Sequence, residues 1–244
     1  MKYKSLEIYT LGRFAVKINN KNLISDNCKL SKKWILLQYL FTNCGRPVSR
    51  ERLISVLRLE KNDDPQAALT ALVYRLRKTL REINKRSDFV PYISTQGEAY
   101  IFNDKANYWL DAEEFKNLCR KTINLITEEN TDAIETFRKA IALYQGDYLE
   151  ETRTEEWVWS SRSSYRELFI ETMIKLDNFM QERKLYEELW KLYEDILEDV
   201  KFEEELILGS VRVLLNSGYQ GLARIKYEEA VNLFRDNDLQ IPPD

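Results

Sequence analysis

The chain contains no histidine in 244 residues. That gap removes Ser-His-Asp and Cys-His nucleophilic sites, HExxH metal sites and every imidazole general base. Glycine is scarce, at seven residues, and none lies in a GxxxxGKS/T loop or a GxGxxG turn, so the backbone cradles of nucleotide hydrolysis and dinucleotide binding are missing. The three cysteines, Cys28, Cys44 and Cys119, are widely spaced and form no CxxC pair, so free thiols are expected in place of a disulfide framework or a zinc site. The most hydrophobic stretch, Trp34 to Phe41, is far shorter than the roughly 20 residues of a membrane span. The N-terminus reaches Glu7 without a signal-peptide core. The 40 carboxylates pair by chance throughout so charged a chain. A cytoplasmic, soluble protein is expected, with no membrane contact, no cofactor, no metal and no catalysis.

What is present is charge of both signs, unevenly placed. Residues 1–107 hold 20 Lys/Arg against 10 Asp/Glu, whereas residues 108–244 hold 17 against 30. The net of −3 therefore conceals a basic half and an acidic half. With 44% hydrophobic residues the length suffices for two cores, and a nucleic-acid-binding head on an acidic body is expected. The plainer alternative is a chance imbalance over one solvated surface.

In the basic half, Leu6, Ile8, Phe14, Val16 and Ile18 alternate at period two around a Gly12-Arg13 break, which predicts a short hairpin or paired strands. A first helix is predicted over Leu30 to Asn43, with Ser31 as its cap, Lys32 and Lys33 near its start, and Gly45 and Pro47 beyond its end. Ser49 caps a second helix that carries Arg50 and Arg52. Asp63-Asp64-Pro65 opens a third. Here Leu69, Leu72, Val73, Leu76, Leu80 and Ile83 form one apolar stripe at helical spacing. Thr70, Ala71, Tyr74, Lys78, Arg81 and Lys85 fall on the opposite half, with Arg75 and Arg77 on its borders. Arg75 to Arg86 holds six basic residues and one acid, Glu82, whereas a merely solvated helix usually interleaves both signs. Such a helix, about 10–12 Å across, matches a major groove about 12 Å wide. Tyr92 to Phe102 reads as two strands around Gly97, and three helices closed by a hairpin describe a winged helix.

From Asp111 onward the pattern is helical, with turn signals near Gly146, Glu182 to Lys184, Lys201 and Gly218. The segments Leu185–Tyr193 and Gly218–Tyr227 each read as the start of the second helix of a tetratricopeptide-like unit. Their tyrosines Tyr193 and Tyr227 stand one 34-residue repeat apart. The aromatics Trp157, Trp159, Tyr165 and Phe169 suggest a ligand cage, but helical core packing is the preferred reading.

The strings LEIYTLGRF, GRPVSRERLI, LVYRLRKTLRE, TQGEAYIF and LYQGDYLEE resemble the SARP family of bacterial regulators along essentially the whole chain. In that family an OmpR-type winged helix precedes a bacterial transcriptional activation domain. The resemblance implies an α+β winged helix-turn-helix over residues 1–107, then an all-α helical-repeat (tetratricopeptide-like) domain over 108–244. It further implies an activator that binds direct repeats in double-stranded DNA, where two copies can form a homodimer, and that contacts RNA polymerase. By position, Thr70, Ala71, Tyr74 and Arg75 match the groove-facing stretch and Arg77 and Lys78 the phosphate-facing stretch. Ser94, Gln96 and Gly97 match the wing, and Lys32, Lys33, Arg50, Arg52 and Arg81 extend the basic surface. The wing departs from the family's RGxGY, lacking its basic residue and second glycine, and Val56-Leu57-Arg58-Leu59-Glu60 departs from Leu-Leu-Trp. Two alternatives stand beside this expectation: an interaction scaffold with a degenerate winged helix, and a ligand-sensing regulator.

Overall fold

The computed structural model describes residues 6–18, 21–24, 31–81, 90–152, 154–196 and 203–237. It divides into two compact units, Met1–Tyr9 with Phe14–Leu110 and Thr10–Arg13 with Asp111–Asp244. The division differs from a cut after residue 107 in two places, because Tyr108–Leu110 is a strand of the first unit and Thr10–Arg13 packs with the second.

In the first unit, β1 (Leu6–Tyr9) pairs antiparallel with β2 (Ala15–Ile18) in the register Leu6 to Ile18 and Ile8 to Val16. Those four residues all point inward, as period-two alternation requires. The hairpin expected from the sequence gains two partners: β3 (Lys21–Asn22) on β2 and the distant β7 (Tyr108–Leu110) parallel to β1. A parallel pair needs a crossover, and the three helices and the wing lie within it.

The helix α1 (Lys32–Thr42) is buried from Leu36 to Phe41, because other elements surround it. Ser31 occupies its cap position without a side-chain cap bond, and Leu30, the expected start, lies outside the described residues. In α2 (Arg50–Val56) the expected cap forms, with Ser49 accepting from the Arg52 N–H. For α3 (Pro65–Arg81) the Asp64 carboxylate accepts from the Ala67 N–H at 2.9 Å, and proline opens the first turn, where its missing N–H costs nothing. Strands β5 (Ile93–Gln96) and β6 (Ala99–Phe102) form the wing hairpin, and β4 (Val48–Ser49) joins β6 on its other side. Gly97 takes φ 56 in the two-residue loop, the left-handed position a tight hairpin needs. Phe102 sits at the centre, packing against Phe41, Tyr92 and Tyr108 with ring centroids 5.2–6.5 Å apart.

The second unit consists of α4 (Asp111–Thr127), α5 (Asp132–Ile141), two short 3-10 turns, α6 (Trp159–Glu182), α7 (Tyr186–Ile196), α8 (Glu204–Asn216) and α9 (Gln220–Asp236). The pairs α4–α5, α6–α7 and α8–α9 are joined by one kind of turn. At each, a residue with positive φ (Glu129, Lys184, Gly218) follows the first helix, and the next N–H reaches back to a carbonyl five residues earlier: Asn130 to Leu125, Leu185 to Met180, Tyr219 to Leu214. This is the Schellman geometry. The last two instances are displaced by one 34-residue repeat, and Tyr193 and Tyr227 each fall eighth in the second helix of their pair. The expected repeat is therefore present in the backbone as well as the letters. The turn signal at Lys201 lies outside the described residues.

Thr10–Arg13 forms a hook built into this unit. Asp111, 1% exposed, accepts the Thr10 N–H (2.6 Å), the Thr10 hydroxyl (2.7 Å), the Leu11 N–H (2.9 Å) and the Ala112 N–H (2.7 Å). Burial raises its pKa, and these bonds pull it back in part. Gly12, at φ 91, lies against Gln145 and Gly146 so closely that an added Cβ would fall 2.6 Å from the Gln145 carbonyl. The two strings TLGRF and LYQGDYLEE thus meet at a glycine contact.

Candidate nucleic-acid interface

The 17 residues of α3 span about 25 Å at 1.5 Å per residue. Leu69, Leu72, Val73, Leu76 and Leu80 are buried, as their spacing predicts, while Ile83 and Lys85 lie outside the described residues. Thr70, Ala71, Tyr74, Arg75, Lys78 and Arg81 are exposed on the other side, with Tyr74 66% exposed. No carboxylate occurs within the helix. The Thr70 hydroxyl donates to the Gln66 carbonyl at 2.8 Å, and Arg75 Nε donates to the Ala71 carbonyl at 3.2 Å, so both side chains lie back along the helix. The exposed face is an acid-free cationic ridge with an aromatic ring at its middle.

The remaining basic candidates have partners within the first unit. Arg77 Nε donates to the Ile93 carbonyl (3.1 Å) and its Nη2 to the Thr95 hydroxyl (2.8 Å), tying α3 to the wing. Its guanidinium lies 5.6 Å from the Tyr100 ring centroid, and that of Arg50 lies 5.5 Å from the same centroid. Arg50 Nε is also 3.3 Å from the Glu98 carboxylate. Arg52 donates to the Tyr39 hydroxyl at 2.9 Å, Lys32 to the Arg58 carbonyl at 3.0 Å, and Lys33 to the Thr79 hydroxyl at 3.3 Å. Burial holds the Lys33 ammonium below its ordinary pKa, and the Arg75 guanidinium lowers it further. Ser94 is half-buried in the wing, with Gln96 and Gly97 exposed at its tip.

Sequence reading missed Thr79, Thr95 and Tyr100 as the partners that orient these cations. A signal for Tyr100 existed, since β6 alternation turns Tyr100 and Phe102 inward. Thr79 and Thr95 carry no such mark. At Val56–Glu60, where the sequence departs from the family, Arg58 has φ 50 and Leu59 N–H bonds to the Ile54 carbonyl, so α2 ends in the same Schellman turn as the helices of the second unit.

Elsewhere, the Cys119 thiol is buried and pushed up to about 12 by desolvation, which makes it a poor nucleophile. Cys44 is half-buried with its thiol 3.4 Å from the Tyr108 hydroxyl, and Cys28 lies outside the described residues. Of the four aromatics read as core, Phe169 is buried and stacks on Tyr144 at 4.5 Å, Tyr165 and Trp157 are half-buried, and Trp159 is 53% exposed. Trp159, the first residue of α6, departs from the expectation. Among the described residues no group of three or more Cys, Asp or Glu is placed to hold a metal ion, and no helix is long and apolar enough to cross a membrane.

A winged helix followed by paired helices is the architecture of a transcriptional regulator. Residues 29–101 match the model of the transcriptional regulatory protein C-terminal family, and residues 110–244 match that of the bacterial transcriptional activator domain. The chain belongs to the bacterial transcriptional activator domain family and is a SARP-type regulator. Both matched families are regulators, not enzymes. The structure of Mycobacterium tuberculosis EmbR, solved in complex with a low-affinity phosphopeptide, has the same fold, with a TM-score of 0.75 at 17% identity over 99% of this chain. This chain covers 62% of EmbR's length. No curated protein shows significant sequence similarity to it.

Proposed function

We propose that the chain is a sequence-specific activator that lays α3 in the major groove of double-stranded DNA at direct repeats and contacts RNA polymerase through its helical unit. The observation that carries this reading is the exposed face of α3, with Tyr74, Arg75, Lys78 and Arg81 outward and no acid among them. Arginine on such a face can take guanine O6 and N7 in a bidentate pair, and lysine neutralises phosphates. Arg77 and Lys33 also tie α3 to the wing and to α1, which holds the reading helix in place.

Arg75→Glu combined with Lys78→Glu is expected to weaken duplex binding by on the order of tenfold or more, without loss of helical circular dichroism. Gel-shift affinity equal to that of the parent would refute the assignment of α3. Footprinting is expected to protect two half-sites about one helical turn, roughly 10 base pairs, apart. One isolated half-site would remove the direct-repeat reading.

A further inference from the structure

Glu98 is the sole carboxylate among the described residues from 65 to 103, the segment that builds α3 and the wing. Its backbone is fixed: it sits in the two-residue loop closed by the Gln96–Ala99 pair, and its carbonyl accepts the Arg50 N–H at 3.2 Å. The carboxylate lies 3.3 Å from Arg50 Nε, with side-chain exposures of 84% for Glu98 and 27% for Arg50. Arg50 has a second anchor in the Tyr100 ring, which it shares with Arg77. One member of the pair is held, and the other reaches it from solvent.

We propose that Glu98 occupies on Arg50 the place that a DNA backbone phosphate takes in the complex, so that this wing carboxylate limits the chain's grip on duplex DNA. The inference rests on the DNA-binding reading above and adds a residue that opposes binding. A carboxylate and a phosphate oxygen offer a guanidinium the same acceptor geometry. Glu98 is exposed and meets the buried Arg50 Nε as an ion pair without a hydrogen bond, so the contact is weak enough to exchange, and the Tyr100 ring keeps the guanidinium in place once Glu98 leaves. A phosphate contact reads no sequence. Glu98 is therefore expected to set affinity on specific and non-specific duplexes alike.

The test is a double-mutant cycle in the full chain, with fluorescence anisotropy on a labelled duplex selected by the parent chain from genomic fragments and on a scrambled duplex across a salt series. Glu98→Gln is expected to tighten binding to both by roughly two- to fivefold, the range of an exposed ion pair, and to steepen the salt slope by about one. In an Arg50→Gln background the same change is expected to give less than half of that gain, because only the longer-range charge effect remains. An equal gain in both backgrounds, or no gain in the parent, overturns the proposal while the DNA-binding reading stands. A parent chain without duplex affinity overturns both.

Discussion

Asp177 is a carboxylate inside a helical core, 5% exposed, accepting Gln181 Nε2 at 2.8 Å and the Tyr193 hydroxyl. Room for that arrangement comes from Gly209, where an added Cβ would collide with the Tyr193 hydroxyl. Burial raises the Asp177 pKa above its ordinary 3.8 and raises that of Tyr193 as well. Between the ordinary and the raised Asp177 value, the folded state keeps a proton that the unfolded state has released, so stability falls as pH rises through that window. Asp177→Asn is expected to remove this part of the slope. Urea unfolding from about pH 4 upward measures it, and parallel curves for the two proteins would contradict the argument. Tyr193 is marked in the sequence only by its 34-residue recurrence and Asp177 by nothing, so their pairing across helices was not legible there. The sign of the α3 face was legible, because neighbours at i+3 and i+4 decide it.

At the scale of the element, the Schellman turns explain both a success and an omission. Gly218 announces its turn, since glycine takes positive φ without strain. Lys184, one repeat earlier and within the turn signal at Glu182 to Lys184, does the same work at φ 59, whereas Glu129 does it at φ 56 without a turn signal in the sequence. A side chain in this region costs about 1–2 kcal/mol, and glycine's extra freedom in the unfolded chain offsets about 0.5–1 kcal/mol of the relief. Lys184→Gly is therefore expected to stabilise the helical unit by roughly 0.5–1 kcal/mol, read as a rise in denaturant midpoint at unchanged m value. A fall in midpoint would mean that the Lys184 side chain does more than occupy the turn. In α3 the cap at Asp64-Pro65 and the apolar stripe from Leu69 to Leu80 were both legible in the sequence. The ties from Arg77 to Ile93 and Thr95 were not, because the wing lies beyond the helix in the chain and its approach is a matter of packing.

For the whole molecule, the informative feature is that the chain leaves the first unit at Tyr9, supplies Thr10–Arg13 to the second, and returns at Phe14. The helical unit is thus completed by a segment that precedes it by about a hundred residues, held by the buried Asp111 carboxylate and by backbone bonds from Gly12 to Asp147 and from Leu149 to Thr10. Asp111→Ala strands the Thr10 and Leu11 N–H groups and the Thr10 hydroxyl, and is expected to destabilise the helical unit by about 2–4 kcal/mol. Hydrogen exchange is the direct check, with protection at Thr10 and Leu11 expected to collapse before that of β1. Unchanged protection at both amides would show that the hook is held by other means. The division of charge between residues 1–107 and 108–244 needed no structure to see, and it agrees with the acid-free helix in the first unit.

By itself the amino-acid order determined the helix stripes and caps, the basic sign of α3, the 34-residue recurrence and the family resemblance, all of which depend on residues near one another in the chain or on repetition along it. Tertiary structure alone decided which cations face solvent and which brace the wing, why Glu98 stands beside Arg50, and where Thr10–Arg13 belongs. Those outcomes turn on contacts between distant segments, such as the 101 residues between Thr10 and Asp111. Local spacing cannot encode them, since a side chain's partner is set by the packing of whole elements.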